Sequence, residues 1–155
     1  DRAGVQCASI DHVSGIAMLF RTTCLCGKVS IELHGEPSAR ANCHCSSCRD
    51  FYGAPLFSAT AWQADNVRIA NGATRSFKHP EKDMTKTFCE SCGEVVFGTN
   101  RLGMRVVPNA MVARATEGRI QDRWAPTMHL FYRQRLTDIQ DNLPKYLEGW
   151  DGPLL

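Results

Sequence analysis

Cysteine spacing constrains this chain more than any other feature of its sequence. Seven of the eight cysteines fall into three tight groups. The groups read C-x-C, C-x-C-x-x-C and C-x-x-C, and they comprise Cys24 and Cys26, then Cys43, Cys45 and Cys48, then Cys89 and Cys92. Thiols two or three residues apart can point at one centre, and such soft ligands select zinc or iron–sulfur clusters. The spacing therefore predicts metal binding, and the isolated Cys7 is interpreted as a non-ligand.

A disulfide framework is the competing interpretation, and two observations argue against it. Disulfides persist in oxidising compartments, whereas the first residues show neither the basic cluster nor the long apolar run of a secretory signal. The cysteines of a C-x-C would also close a strained, very small ring. Iron–sulfur clusters usually take four cysteines each, and seven grouped cysteines do not divide that way. We therefore expect zinc.

Seven thiolates divide naturally into one closed zinc site of four ligands and one open site of three. Cys43, Cys45 and Cys48 lie within six residues, so one loop can supply three ligands and leave a position for water or substrate. A zinc shared by the two remaining pairs would tie the start of the domain to its middle. One alternative stays open, in which the three-cysteine site is closed by a fourth ligand such as His44, His79, His129 or Cys7.

Size and charge restrict the function further. A chain of 155 residues suits one domain. The formal net charge of +2 becomes −1 once seven thiolates and two zinc ions are counted, which argues against a non-specific nucleic-acid binder. The longest uninterrupted apolar stretch is residues 16–20, far short of the roughly 20 residues that span a bilayer. Phosphate-binding glycine loops, G-x-S-x-G and H-E-x-x-H are absent.

The hydrophobic pattern is typical of short strands. Val29, Ile31 and Leu33 alternate with polar residues, as expected for a half-buried strand. Further strands are predicted at residues 55–61, 67–69, 74–78, 85–88, 94–98, 105–107 and 128–132. Asn71-Gly72 predicts a hairpin turn, and residues 142–148 predict a short helix with Pro144 in its first turn. These signals favour an all-β fold.

Several stretches together resemble the family of glutathione-dependent formaldehyde-activating enzymes (GFA), which also includes centromere protein V. They span roughly residues 22–147 and comprise CLCGKV at 24–29, CHCSSCR at 43–49, GAP at 53–55, FCESCG at 88–93, HLF at 129–131 and DNLP at 141–144. The resemblance implies an all-β fold of small antiparallel sheets around zinc sites, similar to the Mss4 family. It places the zinc domain at residues 21–149, after an extension at 1–20 and before a tail at 150–155.

The resemblance also implies two zinc ions per chain. The structural ion would be held by Cys24, Cys26, Cys89 and Cys92, and the catalytic ion by Cys43, Cys45 and Cys48. The implied partners are a thiol such as glutathione and an aldehyde. The near-neutral charge and the short apolar stretches argue against nucleic acid and membrane as partners, and the lack of a visible secretory signal favours the cytoplasm. The implied reaction condenses glutathione with formaldehyde to S-hydroxymethylglutathione, a carbon–sulfur lyase reaction run in reverse.

Two departures from the family pattern put the substrate in question. The part after Pro144 is shorter than the helix-rich end of formaldehyde-activating members, and residues 107–111 read VPNAM where relatives often carry a Gly-Thr/Ser-Leu-Asp type stretch. Two other functions are therefore kept as hypotheses. One is a non-catalytic, zinc-stabilised protein-interaction module of the centromere protein V type, and the other is redox or metal sensing through the three-cysteine group.

Four polar residues near these motifs receive individual predictions. Arg49 directly follows the three-cysteine group and is a candidate for holding a substrate carboxylate, with a locally paired surface arginine as the alternative. His129 is a candidate lining residue of the catalytic pocket, with a satisfied core histidine as the alternative. His44 is predicted to point away from the metal, towards solvent or a backbone group. Asp141 is predicted to cap the short helix rather than to join the site.

Overall fold

Short strands account for most of the regular structure in this computed structural model, which describes residues 18–155. Its strands are β1 (Leu19–Thr23), β2 (Ser30–His34), β3 (Ala39–Cys43), β4 (Phe57–Trp62), β5 (Val67–Asn71), β6 (Thr74–Lys78), β7 (Thr85–Cys89), β8 (Val95–Thr99), β9 (Arg105–Pro108) and β10 (His129–Leu130). The helices are α1 (Ser46–Tyr52) and α2 (Asn109–Arg114), with single 3-10 turns at Ala64–Asn66, Asp122–Trp124 and Tyr132–Gln134.

The strands form two sheets. The smaller sheet is antiparallel, with the order β1-β2-β5. The larger has the order β10-β3-β4-β9-β8-β7-β6 and is antiparallel except where β10 runs parallel to β3. The all-β prediction is thus confirmed, with one parallel pair added. That pair matters for function because it sets His129 and Leu130 beside Asn42 and Cys43 at the end of β3.

The main core lies between the smaller sheet and the central strands of the larger one. Val29, Ile31 and Leu33 are all fully buried, which confirms the alternation read from the sequence. They belong to one hydrophobic cluster with Trp62 and Trp124, whose rings meet edge to face at 5.4 Å between centroids. Both the C-x-C and the C-x-x-C cysteines border this cluster, since Cys24 and Cys89 are buried within it. The core therefore holds these two segments at a fixed separation.

The predicted hairpin at Asn71-Gly72 is wrong. Strand β5 pairs with β2 in the smaller sheet, whereas β6 pairs with β7 in the larger one, so this turn carries the chain from one sheet to the other. Gly72 has a φ of +98°, and a Cβ atom there would lie 2.2 Å from the carbonyl oxygen of Lys28. Glycine is therefore required at the crossing by backbone conformation and by close approach. The Asn-Gly pair is equally compatible with a hairpin turn and with a turn that connects two sheets, so the sequence did not distinguish them.

The predicted helix at residues 142–148 is also wrong. Its backbone hydrogen bonds go instead to the strand region: His129 donates to the carbonyl of Pro144 and Tyr146 donates to the carbonyl of His129. Extended backbone there satisfies these groups across the chain rather than within a helix. Residues 144–147 consequently lie along β10, on the side away from β3. Within residues 18–155, no helix is long and apolar enough to cross a membrane.

Candidate metal centres

The first candidate centre joins the two distant cysteine pairs. The Sγ atoms of Cys24, Cys26, Cys89 and Cys92 all lie within 4.8 Å of one another, although the pairs are over sixty residues apart. The Sγ of Cys26 is 3.6 Å from that of Cys24 and 3.7 Å from that of Cys89. A tetrahedral zinc with bonds of about 2.3 Å requires sulfur–sulfur distances of about 3.8 Å. The four cysteines therefore fit a tetrahedral metal site.

Tight turns present these sulfurs. The turn after β1 is closed by a hydrogen bond from the Gly27 amide to the Cys24 carbonyl, and the turn after β7 by one from the Gly93 amide to the Cys89 carbonyl. Backbone amides also donate to the sulfurs, from Val29 to Cys24 at 3.3 Å and from Ser91 to Cys89 at 3.4 Å. Such donors favour the thiolate form, which is the form that binds metal.

An ion pair fixes one turn against the other. Glu94, just after the second turn, accepts a hydrogen bond from the Leu25 amide in the first turn. Its other contacts come from the Arg114 guanidinium, at 2.8 Å and 3.1 Å, in a bidentate pair. Arg114 also donates to the carbonyl of Thr23 at 2.7 Å. The cluster thus has protein contacts that set the relative position of its two halves independently of any metal.

The second candidate centre is built from one loop. Cys43 ends β3, Cys45 caps the N-terminus of α1, and Cys48 lies buried in the first turn of that helix. The Cys48 amide donates to the Cys45 Sγ at 3.3 Å, which holds the loop around its own sulfur atoms. The three sulfurs lie within 4.8 Å of one another. This loop packs on Phe57 and Tyr52, whose rings stack at 3.7 Å.

Electrostatics show that three thiols this close need a cation if all are to ionise. Hydrogen bonding with Cys43 lowers the pKa of Cys45 to about 2, whereas the same interaction raises the pKa of Cys43 far above its ordinary value. One thiol thus ionises easily at the expense of its neighbours. A divalent metal removes this conflict because coordinated thiols are deprotonated. The donor set therefore fits a soft metal ion.

The open question of a fourth ligand has a clear answer within the described residues. No histidine, cysteine or carboxylate of residues 18–155 joins Cys43, Cys45 and Cys48 in the cluster. His79 lies in the loop between β6 and β7, while Nε2 of His44 and both ring nitrogens of His129 have other partners. Cys7 lies outside the described residues. The three-cysteine cluster is therefore one ligand short of the closed set formed by the other four cysteines.

A buried chain of hydrogen-bonded side chains begins in the three-cysteine loop, at His44. The Nε2 atom of His44 lies 2.8 Å from Nδ1 of His129, and Nε2 of His129 lies 2.8 Å from Oδ2 of Asp141. His44 is 1% exposed and His129 is 0% exposed. Lys145 also donates to Asp141 at 2.7 Å. The hydrogen bonds from Lys145 and from His129 together lower the pKa of Asp141 to about 2. This chain links residue 44 to residue 141 through β10.

This hydrogen-bonded chain fixes a proton on Nε2 of His129 and, when His129 is neutral, the direction of its hydrogen bond with His44. An ionised carboxylate only accepts hydrogen bonds, so Nε2 of His129 must carry a proton. In neutral His129, Nδ1 is then an acceptor and His44 donates to it from Nε2. Burial, with the nearby His129 as a further cause, lowers the pKa of His44 to about 4, so His44 is uncharged at neutral pH. The expectation that His44 faces solvent or a backbone group is wrong, and Asp141 caps no helix.

Two residues were predicted to contact substrate. Arg49 lies in α1, and its Nε donates to the carbonyl of His44 at 3.1 Å. Part of its guanidinium therefore stabilises the three-cysteine loop. His129 is fully buried with both ring nitrogens engaged, which favours a positioning role. Direct contact of either residue with substrate stays a prediction.

A cavity of about 320 Å³ lies beside the stacked pair Tyr52 and Phe57. It is also lined by Ser58, Pro108 and Asn109, at the ends of β4 and β9 nearest the three-cysteine loop. The Nδ2 of Asn109 donates to Ser58 at 2.7 Å, whereas its buried Oδ1 has no hydrogen-bond partner. A larger cavity, of about 370 Å³, lies at the opposite end of β3 around Arg40 and Met128. The smaller cavity is the nearer of the two to the three-cysteine cluster, since Phe57 pairs with Cys43 across the sheet, but none of the three cysteines lines it, and Glu94 and Val95 form another part of its wall.

Replacing His129 tests the buried chain. We expect His129→Leu to lower the free energy of unfolding of the metal-loaded protein by about 2–4 kcal/mol, because Nε2 of His44 loses its partner and Asp141 loses one of its partners in a buried site. Urea denaturation followed by tryptophan fluorescence measures the change. His79→Leu, in the loop between β6 and β7, is the matched control and should change it by less than about 1 kcal/mol. Equal effects of the two substitutions would show that the hydrogen bonds of His129 do not stabilise the folded protein.

Comparison with known proteins agrees with the cysteine geometry. The family model described as glutathione-dependent formaldehyde-activating enzyme matches residues 19–134. Among solved structures, a crystal structure of a Rhodobacter sphaeroides protein is similar with a TM-score of 0.51 and 26% sequence identity, over 67% of this chain and 93% of that one. The search of curated proteins finds no match. With three quarters of its length matched and both cysteine clusters assembled, this chain belongs to the glutathione-dependent formaldehyde-activating enzyme family.

Proposed function

We propose that this chain is a zinc-dependent enzyme of the carbon–sulfur lyase type. It binds a thiol such as glutathione at Cys43, Cys45 and Cys48, and it forms or cleaves the S-hydroxymethyl adduct of that thiol with formaldehyde. The observation that carries the proposal is the three-sulfur cluster without a fourth protein ligand in residues 18–155. A three-ligand set that leaves one coordination position open is the arrangement of catalytic zinc, whereas structural zinc sites are closed.

Two zinc ions per chain are part of the proposal, with different tasks. Cys24, Cys26, Cys89 and Cys92 would hold a structural ion, because their sulfurs form a closed tetrahedral set at the edge of the core. Cys43, Cys45 and Cys48 would hold the catalytic ion. When bound there, zinc supplies Lewis acidity and stabilises a thiolate at neutral pH. Clustered thiols must stay reduced to serve as ligands, so we place the enzyme in the cytoplasm.

The protein's own contribution is to orient a reactive pair. Formaldehyde is already a strong electrophile, so bringing the two reactants together at the correct angle supplies much of the rate increase. The cavity beside Tyr52 and Phe57 is within the size range of small-molecule sites. Asn109 lines this cavity with its Nδ2 bonded to Ser58 and its Oδ1 enclosed, so its side chain shapes the wall of the cavity rather than offering a free acceptor.

The experiment that tests this function is an exchange assay with ¹³C-formaldehyde and glutathione, read by NMR. The zinc-loaded protein should accelerate interconversion of free and adduct formaldehyde beyond the spontaneous rate. Cysteine methyl ester and 2-mercaptoethanol test thiol selectivity, with glutathione expected to react fastest. Absence of acceleration with any thiol, in protein shown to contain two zinc ions, would overturn the enzymatic proposal and leave the interaction module as the better explanation.

A further inference from the structure

One buried cation near the three-cysteine loop has no task in the function described so far. Lys86 lies on β7 and is 1% exposed. Its Nζ contacts the Tyr52 hydroxyl at 3.0 Å and sits 4.2 Å from the centroid of the Tyr52 ring. The Phe51 and Phe57 rings lie 4.9 Å and 5.6 Å from the same atom. Three aromatic rings therefore surround one ammonium group.

The fold makes room for this ammonium. Gly98 on β8 is paired with Lys86 across the sheet, and a Cβ atom at residue 98 would lie 3.3 Å from Nζ. The same Cβ would approach the Met84 methyl group to 2.8 Å. Any larger residue at position 98 would have to displace Met84 and crowd Lys86. The space around the ammonium is thus a defined feature of the sheet.

No carboxylate in the described part of the chain pairs with Lys86. None of the ion pairs formed within residues 18–155 includes Lys86, and its polar contacts are a hydroxyl and the Met84 sulfur. A buried charge without a counter-charge is costly, so it needs an explanation. Cation–π contacts offset part of the cost. The remaining negative charge has to come from another source.

The three-cysteine cluster packs against the same side chains that surround Lys86. Tyr52, Phe57 and Met84 pack with Cys43, Cys45 and Cys48 in one cluster, and all three also touch or face Lys86. Burial lowers the pKa of Lys86, while the Cys48, Cys45 and Cys43 thiolates act in the opposite direction and favour its charged form. The cation and the thiolates consequently share a poorly solvated environment, where charges interact more strongly than in water.

We propose that Lys86 is the counter-ion of the three-cysteine cluster, and that its ammonium stabilises the negative charge of the cluster when it holds a divalent metal and a substrate thiolate. The proposal deepens the proposed function and rests on it. Three thiolates and one divalent cation leave one net negative charge, and a fourth thiolate leaves two. A neutral water as fourth ligand adds none. Lys86 therefore favours a thiolate over water at the open position.

Two substitutions separate charge from packing. Lys86→Met keeps the length of the side chain and its contact with the rings but removes both the charge and the hydrogen bond to Tyr52. Lys86→Gln removes the charge and keeps a donor for Tyr52, and Lys86→Arg retains the charge. Each variant is loaded with Co²⁺, whose sulfur charge-transfer absorption reports thiolate coordination. Glutathione and 2-mercaptoethanol are then titrated in without formaldehyde, so that no turnover is needed.

We expect Lys86→Met and Lys86→Gln to weaken binding of metal at the three-cysteine site by roughly 10- to 100-fold. Binding of both thiols should weaken as well, and Lys86→Arg should recover most of the loss. The four-cysteine site should keep its metal in every variant. With metal at that site alone, Lys86→Met should be at least as resistant to urea as the wild type in the same state. A structural role alone would instead lower the urea resistance of this form of the variant.

Unchanged metal and thiol affinity in folded Lys86→Met and Lys86→Gln would overturn the counter-ion role. Weakening by Lys86→Met alone would also overturn it, because the hydrogen bond to Tyr52 rather than the charge would then be responsible. These readouts are independent of the formaldehyde exchange assay. A wild type that fails that assay, but whose thiol affinity depends on the charge at residue 86, would refute the enzyme and support the counter-ion.

Discussion

Cys89→Ser should give a protein that no longer folds to a stable state. Cys89 is 0% exposed, lies in the main core cluster and provides a sulfur to the four-cysteine site. Structural zinc contributes roughly 10–16 kcal/mol in small zinc-binding peptides, whereas a whole domain is stable by only about 5–15 kcal/mol. Loss of one of four ligands should therefore remove at least about 5 kcal/mol. Circular dichroism and thermal denaturation measure the outcome.

Ser91→Ala is the matched control for this substitution. Ser91 lies in the same turn, and its backbone amide still donates to the Cys89 sulfur when the side chain is shortened. We expect Ser91→Ala to change the free energy of unfolding by less than about 0.5 kcal/mol. If Cys89→Ser melts cooperatively at the wild-type temperature with one fewer metal ion bound, the four-cysteine site is not structural and the division of tasks between the clusters is incorrect.

Cys45→Ser should have the complementary effect, with activity lost and the fold retained. The ligands of this cluster come from one loop, so its metal closes no long-range contact of the chain. We expect turnover of glutathione with formaldehyde to fall by at least about 100-fold. Metal content should drop by one equivalent, and the melting temperature should change by no more than about 5 °C.

Ser46→Ala, one residue further along the same loop, is the control for Cys45→Ser. Its side chain is exposed, and the loop contact made by its backbone amide, to Gln134, is unaffected by the substitution. Activity and metal content should match those of the wild type. Retained turnover in Cys45→Ser, with metal content confirmed to be one equivalent lower, would show that the reaction takes place elsewhere in the molecule.

The cysteine clusters were the most predictable part of the site. Each motif is local, and the number of ligands that a zinc ion takes restricts how distant motifs combine. The structure brings together the same four-plus-three sets that the sequence indicated. The strand alternation at Val29, Ile31 and Leu33 was equally local, because burial on one face of a strand is visible in the residue pattern. The boundaries proposed for the zinc domain stay a prediction.

Long-range partners could not be predicted from the sequence. Asp141 reaches His129 because residues 144–147 lie extended along β10, and a proline-containing segment of this composition reads equally well as the first turn of a helix. Lys86 stands between two threonines in β7, a pattern typical of an exposed strand face, and only the packing of α1 shows that it is enclosed. Asn109 offers no signal in a single sequence, since its role depends on the partner that its Oδ1 lacks.

The different reach of the two clusters has a consequence for biosynthesis. Every cysteine of the three-cysteine cluster has been translated by residue 48, whereas the four-cysteine site is complete only at Cys92, roughly forty residues later. At translation rates of about 5–20 residues per second, this interval lasts about 2–9 s. During this interval, a nascent chain contains all three cysteines of the loop site, but only the C-x-C half of the four-cysteine site. On the proposed division of tasks, a metal ion would therefore meet the three-cysteine loop first, and the four-cysteine site would be filled last.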